Sequence, residues 1–251
     1  MNKIARILSV SLAAISIASA TYAQGLGGWG TKIKNAAGTI KTGAGSGKGT
    51  GLSESEISQG LREALKVGAQ NATGKVSTVN GFFADAAIKV LMPPEAKKVE
   101  TALRSIGMGA QVDKAILAMN RAAEDASTKA YPIFVNAVTG MSIQDGLSIL
   151  KGSNDAATLY LRNKTTNDLT NLFKPIIKTS LDKVNATRYW SDIVNIYNRL
   201  PTTRTKVNPD LPAYVTDRAL NGIFVYVAKE EESIRSNPAA RVSDILRRVF
   251  G

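Results

Sequence analysis

The sequence predicts an all-α fold, a single irregular multi-helix bundle, from three observations. Apolar residues recur at steps of three and four along most of the chain after residue 52, which places them on one side of a helix. Residue types that start helices stand just before these stripes. Only Ala87–Met92, which Pro93 and Pro94 end, is compatible with an extended stretch.

Composition narrows the possible chemistry. The 251 residues include 44% hydrophobic side chains and carry a formal net charge of +12, from 32 Lys and Arg against 20 Asp and Glu, so the protein is basic. These proportions are typical of a globular protein. Histidine and cysteine are both absent. Their absence excludes disulfides, thiolate nucleophiles, histidine-based triads and metal sites built on either residue. We therefore expect no cofactor and no metal.

Residues 1–23 have the layout of a secretory signal peptide. Lys3 and Arg6 precede a run from Ile7 to Ile17 that is apolar except for three serines, and small residues follow up to Ala23. Cleavage after Ala23 gives a mature chain that begins at Gln24. The apolar run is shorter than the roughly 20 residues that a bilayer-spanning helix needs, so we expect no transmembrane span in the mature chain. Without cysteine, lipid attachment is excluded. The sequence predicts an exported, periplasmic or secreted, soluble protein that is not a lipoprotein.

Residues 24–51 predict a flexible glycine-rich linker. Ten of these 28 residues are Gly, and all four charged residues are Lys. The linker ends where Ser53, with Glu56 three residues later, forms the pattern of a capping box. One helical domain is therefore expected over residues 52–251.

The elements within this domain are predicted from stripes and caps. The clearest stripe is formed by Leu169, Leu172, Phe173, Ile176, Ile177, Leu181 and Val184. Further helix starts are predicted at Pro94, at Ser142 with Asp145, at Thr165 with Asp168, at Asp210, and at Asn237 followed by Pro238. Pro175 lies inside the best stripe, so we expect that helix to be kinked or split there.

Two short motifs resemble catalytic signatures by chance. Gly43–Thr50 is similar to a phosphate-binding loop, but Gly49 stands where Ser or Thr binds magnesium and no buried strand precedes it. We therefore expect no nucleotide. Ser148–Lys151 and Ser180–Lys183 match the S-x-x-K pattern of penicillin-recognising enzymes, but the accompanying S-D-N is missing.

Adjacent carboxylates leave one enzymatic alternative open. Without histidine, acid–base catalysis would depend on Asp and Glu, and Glu124 and Asp125 are neighbours on a predicted helix. They are the catalytic candidates for a carboxylate-based hydrolase of envelope glycans, which needs a further acid from another helix. The alternative is that they pair with Arg121, as Glu231 would pair with Arg235 one helical turn later.

The positive charge is unevenly placed along the chain. Residues 162–206 contain nine Lys and Arg and three Asp, a net charge of +6, whereas residues 207–251 are neutral. A basic face of this kind fits an anionic surface. No recognisable nucleic-acid module accompanies it, so we expect no specific nucleic-acid binding.

Several stretches together resemble the bacterial DUF4197 family, a group of exported, mainly helical proteins of unknown function. The stretches that carry the resemblance are Leu117–Glu124, Gly152–Tyr160, Phe173–Pro175, Tyr214–Thr216, Glu231–Arg241 and Val249–Gly251. The similarity runs from about Leu52 to the last residue. It implies one helical domain and implies no activity.

The resemblance also singles out polar residues as binding candidates. They are Asn120, Arg121, Glu124, Asp155, Thr158, Tyr160, Arg235, Asn237 and Arg241. One interpretation is that they are buried hydrogen-bonding partners that fix how helices cross, with Asn237 as a cap. The other is that Asn120, Arg121, Glu124 and Tyr160 line a pocket.

The function predicted from the sequence is binding at the cell envelope rather than covalent chemistry. Two versions remain open. In one, an apolar or amphiphilic ligand, such as a lipid, lies between the helices. In the other, residues 162–206 contact an envelope protein or an anionic surface.

Overall fold

Eight α-helices and one short 3-10 helix make up the regular structure that the computed structural model describes, which covers residues 52–199, 201, 203, 205–237, 241 and 247–248. The helices are α1 (Glu54–Val76), α2 (Lys97–Ser105), α3 (Gly109–Ser127), α4 (Tyr131–Thr139), α5 (Ile143–Lys151), α6 (Ala156–Asp182), α7 (Ala186–Arg199) and α8 (Leu211–Ser236), and the 3-10 helix is Pro94–Ala96. The all-α prediction is confirmed for these ranges. The predicted signal peptide, 1–23, and the predicted linker, 24–51, lie outside the described residues.

Local sequence signals account for most helix starts. Ser53 and Glu56 form both hydrogen bonds of a capping box at α1, and Ser142 and Asp145 do the same at α5. Pro94 begins the 3-10 helix. The side chain of Asp210 accepts a hydrogen bond from the N–H of Ala213 at the start of α8.

One predicted helix start lies inside α6, and this helix is not split at Pro175. The start predicted at Thr165 with Asp168 is wrong, because both residues lie inside α6, where the Thr165 hydroxyl donates to the carbonyl of Leu161 at 2.7 Å. α6 also continues through Pro175 without a break. Pro175 and Asn171 are both exposed, so water can reach the Asn171 carbonyl, which receives no N–H from Pro175.

The C-terminal end of α8 lies at the residue predicted to cap a helix. Asn237 is the C-cap of α8, and its N–H donates to the carbonyl of Ser233 at 2.9 Å. The helix predicted to begin at Pro238 falls on residues 238–240, which lie outside the described residues.

The long helices α6 and α8 pack against each other and against most of the other helices. Four residues of the predicted stripe, Leu169, Phe173, Ile177 and Leu181, are fully buried in α6. The Phe134 and Phe224 rings meet edge to face at 5.8 Å between centroids. The apolar stripes of the helices therefore cover one another.

The segment between α1 and the 3-10 helix crosses the core without regular structure. Phe82 and Val90 in this segment are fully buried. Gly222 of α8 makes room for the first of them, since a Cβ at that position would lie 2.3 Å from the Phe82 ring. The candidate extended stretch, Ala87–Met92, forms no strand here.

No single helix of the described part is long and apolar enough to cross a bilayer. α4 and α5 meet that criterion only when taken together, and they are bent relative to each other by 106°.

Candidate functional site

Asn120 joins α3 to the irregular segment that crosses the core. Its Nδ2 group donates to the carbonyl oxygens of Val90 and Ile116, both at 2.8 Å, and its Oδ1 atom accepts from the N–H of Val90 at 2.9 Å. Asn120 is fully buried. Because buried backbone groups must be hydrogen-bonded, this one side chain does for Val90 what a neighbouring strand would do in a sheet.

Glu124 lies one turn later on α3 and holds the beginning of the same segment. Its Oε1 atom accepts from the N–H groups of Phe82 and Phe83 at 3.1 and 3.2 Å. Its Oε2 atom pairs with Arg121 at 2.5 Å, and the same guanidinium donates to the side chain of Asn80 at 2.7 Å. Both carboxylate oxygens are therefore occupied by donors in a buried setting.

Asp125 has a different environment from its neighbour. It is exposed, and its carboxylate accepts from the hydroxyl of Ser180 on α6 at 2.6 Å. The contacts of Glu124 are on the irregular segment and those of Asp125 on α6, so the described contacts do not bring the two acids to one cleft. The arrangement that glycan hydrolysis requires is not supported by this geometry.

Glu231 of α8 caps the first turn of α6. Its carboxylate accepts from the N–H groups of Ala157 and Thr158 at 3.0 and 2.8 Å and from the Thr158 hydroxyl at 2.8 Å. A negative charge is stabilised at a helix N-terminus by the unpaired N–H groups there. Arg235 completes the cluster by pairing with Glu231 at 2.9 Å and by donating to the carbonyl of Ile149 at the same distance. The pair predicted from the spacing of Glu231 and Arg235 is thus present.

Asp155, Asn237 and Arg241 lie at helix ends. Asp155 is the exposed residue before α6, and it accepts from the Ser153 hydroxyl at 2.5 Å rather than capping the helix. Arg241 is buried and donates to the carbonyls of Ile234 and Arg235 at 3.2 and 3.0 Å. These are among the last carbonyls of α8, which have no partner within the helix. With Asn237 at the C-cap, the contacts of these residues are those of helix ends.

Tyr160 is separate from the α3 residues. It lines an open hollow of about 330 Å³, whose other walls include Asn136, Asp145, Lys164 and Asp168. Burial, and then the nearby charge of Asp145, raises the pKa of the Tyr160 hydroxyl. Asn120, Arg121 and Glu124 do not line this hollow, so the four residues of the pocket interpretation do not converge.

A second open hollow, of about 270 Å³, lies beside the Asp125–Ser180 contact. Its walls are formed by Asp125 of α3, by Pro175, Ile176, Thr179 and Ser180 of α6, and by Lys183, the residue that follows α6. Both hollows are open to solvent, and the helices that form them have their apolar sides buried elsewhere.

Helix α7 contains an apolar side that sequence reasoning missed. Ala186, Trp190 and Val194 are buried, and Trp190 donates its indole N–H to the carbonyl of Asn208 at 3.2 Å. A second stripe, formed by Tyr189 and Ile196, lies outside that contact, and Ile193, between this stripe and the buried side, is half-buried. Tyr189 and Ile196 are 61% and 66% exposed. The spacing is visible in the sequence, but the sequence does not tell which of the two apolar sides is covered.

Cations lie along the second half of α6, on α7 and in the segments that flank α7. Lys174 and Lys178 are paired with Asp210 and Asp182 at 2.8 and 2.5 Å. Lys183, Arg199 and Lys206 are exposed and form no ion pair with another described residue. The positive charge counted in the sequence is therefore only partly neutralised near α7.

Comparison with known proteins gives a family and no activity. No curated protein and no solved structure matches the chain. The model of one family, described as a protein of unknown function, DUF4197, matches residues 51–251, which is most of the chain and all of its described helices. The chain therefore belongs to the DUF4197 family.

Proposed function

We propose that this protein is exported and acts by binding at the cell envelope, where the face formed by residues 162–206 contacts an anionic surface. The observation that carries the proposal is the exposed, unpaired positive charge of Lys183, Arg199 and Lys206. Export rests on the signal-peptide pattern of residues 1–23.

The contacts of the polar residues support binding by a surface rather than by a polar pocket. Asn120, Glu124, Thr158 and Glu231 are buried, and each is hydrogen-bonded to backbone groups or to a charged neighbour. Side chains that hold the fold in this way are already engaged with groups of the protein itself. The exposed, unpaired cations Lys183, Arg199 and Lys206 lie instead on α7 and in the segments that flank it.

An apolar ligand between helices is the less favoured version. The apolar stripes of α1, α3, α6 and α8 are buried against one another, and the two hollows described above are open to solvent. A site for an apolar molecule is usually a cavity that encloses most of the ligand. If purified mature protein carries a stoichiometric lipid, as shown by mass spectrometry of its extract, this version replaces the surface contact.

The test of the proposal uses a lipid-free anionic surface and charge reversal. Mature protein, residues 24–251, is applied to phosphocellulose and to neutral cellulose at increasing salt. We expect retention on phosphocellulose that falls steeply with salt, because surface charges are screened. Reversing Lys183, Arg199 and Lys206 to Glu should weaken retention by more than about tenfold, since each cation near an anionic surface contributes about 1 kcal/mol.

A matched variant controls for net charge. Lys98, Lys114 and Lys129 are also exposed and lie on or beside α2 and α3, outside residues 162–206. Reversing these three to Glu changes the net charge by the same amount and should have a much smaller effect. Equal loss in the two variants, or no retention of the wild type, would contradict the proposed surface.

A further inference from the structure

The proposed function does not say which anionic surface is bound. The exposed side of α7 indicates the chemical class of that surface. We infer that α7 lies in the plane of a bilayer that contains anionic phospholipid, with Tyr189 and Ile196 inserted at the level of the headgroups. This inference rests on the proposed function and goes beyond it by naming the partner.

The stripe is exposed because another side of α7 is packed and hydrogen-bonded to the rest of the protein. Trp190 and Val194 are buried, and the side chain of Asn198 both donates to and accepts from the backbone of Val207, at 2.8 and 2.9 Å. These contacts fix the rotation of α7 about its axis. Tyr189 and Ile196 are therefore presented to the outside by the fold itself.

The neighbours of the stripe are those of a helix that binds a lipid interface. Arg188 and Arg199 lie on the adjoining polar side of α7, and Arg188 pairs only loosely with Asp192, at 3.9 Å. Helices that rest on anionic membranes combine an apolar side that enters the headgroup region with cations along its edge. Tyrosine is favoured at this depth because it has an apolar ring and a polar hydroxyl.

Charge distinguishes a lipid partner from a second copy of the chain. A symmetric contact through α7 would bring together two copies of the exposed cations Lys183, Arg188, Arg199 and Lys206, which lie on α7 and in the segments that flank it. Like charges that meet across an interface oppose association. An anionic bilayer, in contrast, complements the cations and also covers the aliphatic side chains.

The length of α7 fits the orientation. Its 14 residues extend roughly 21 Å at 1.5 Å per residue, which is short of the roughly 30 Å of a hydrocarbon core. The helix would therefore lie along the interface. Other exposed apolar residues, such as Ile106 and Val79, are outside the basic region of residues 162–206.

The absence of cysteine from the sequence allows a direct test. Ile196→Cys places a single environment-sensitive fluorophore on the stripe of the mature chain, and Ile106→Cys places it at a similarly exposed position, 71% against 66%. With vesicles of phosphatidylglycerol and phosphatidylethanolamine, we expect a blue shift at residue 196 and quenching by nitroxide lipids. Residue 106 should show neither, and neutral phosphatidylcholine vesicles should cause no shift at residue 196.

A binding measurement separates this inference from the proposed function. In sedimentation with the same vesicles, Tyr189→Ser with Ile196→Ser should weaken binding by about tenfold or more, because both side chains leave water on insertion. Ile106→Ser with Val79→Ser should leave binding unchanged, and circular dichroism should show that both variants fold. If the stripe variant binds vesicles as wild type does, or if residue 196 shows no shift on bound protein, the inference is wrong while the anionic contact stands. If the wild type binds neither phosphocellulose nor these vesicles, both proposals fail.

Discussion

Glu231 of α8 accepts hydrogen bonds from both the N–H and the hydroxyl of Thr158 in α6, each at 2.8 Å. Its other oxygen is held by Ala157 and Arg235. The two residues thus join the start of α6 to the C-terminal part of α8. Four residues of the family-like stretches, Thr158, Glu231, Arg235 and Arg241, are at or near this junction.

The first prediction concerns the stability of that junction. Glu231→Ala should lower the free energy of unfolding by about 3 kcal/mol, because it leaves Arg235 and the first N–H groups of α6 without their acceptor in a buried site. The measurement is urea denaturation followed by circular dichroism. Glu232→Ala changes an exposed neighbour and should cost less than about 0.5 kcal/mol. Similar values for the two variants would show that the junction contributes little.

The second prediction concerns Asn120. Asn120→Asp keeps the size of the side chain and the acceptor for the Val90 N–H, but it removes the donor to Val90 and Ile116 and adds a buried charge. We expect a loss of about 3 kcal/mol in the free energy of unfolding. Asn171→Asp makes the same change at an exposed position of α6 and serves as the control. An equal midpoint for the two variants would argue against the role of Asn120 in the core.

The third prediction is a pH dependence at Asp85 and Tyr226. The hydrogen bond from the Tyr226 hydroxyl to Asp85, at 2.6 Å, followed by burial, raises the pKa of Tyr226 from 10.0 to about 12. Since the folded pKa lies above the unfolded value, this contribution to stability is complete below pH 10 and is lost as the pH rises from 10 to 12.

Tyr226→Phe tests this pH dependence. The variant should lose about 1 kcal/mol at neutral pH, and it should lack the part of the alkaline decline that the raised pKa causes. The same hydrogen bond also lowers the pKa of Asp85, so wild type should lose a second contribution as the pH falls through the acid range. The free energy of unfolding, measured in urea from pH 3 to 12, gives both the acid and the alkaline loss of stability. Absorbance at 295 nm follows tyrosine ionisation. Parallel alkaline curves for the two proteins would contradict the assignment.

The fourth prediction concerns processing. Protein recovered from the periplasm or medium should begin at Gln24, as read by N-terminal sequencing or intact mass. Ala23→Leu places a bulky residue where signal peptidase requires a small one, so uncleaved precursor should accumulate. Recovery of chain with its original Met1 from the cytosol alone would contradict export, and with it the envelope partner.

Predictions from local sequence succeeded where a few neighbouring residues decide the structure. Ser53 with Glu56 marks the start of α1 because both hydrogen bonds of that cap form within one turn. Thr165 with Asp168 offers a similar pattern and fails, because a threonine hydroxyl inside a helix can bond to the preceding turn instead. Only the packing of α6 against its neighbours distinguishes the two cases.

The candidate site was harder to predict because its contacts are distant in sequence. Glu124 meets Phe82 and Phe83 across about forty residues, and Glu231 meets Thr158 across more than seventy. The sequence predicted the local partner of each acid, Arg121 and Arg235. The sequence could not indicate which backbone N–H groups donate to the two carboxylates. It also could not indicate which side of α7 stays exposed.

The position of α8 has a consequence for how the chain is made. This last long helix covers parts of α1, α3, α6 and α7, and Glu231 reaches the start of α6 from it. A nascent polypeptide still attached to the ribosome before residue 211 therefore lacks the element that closes the hydrophobic interior. Until residues 211–236 have been made, the apolar sides of α1, α3 and α6 lack the helix that packs on all three.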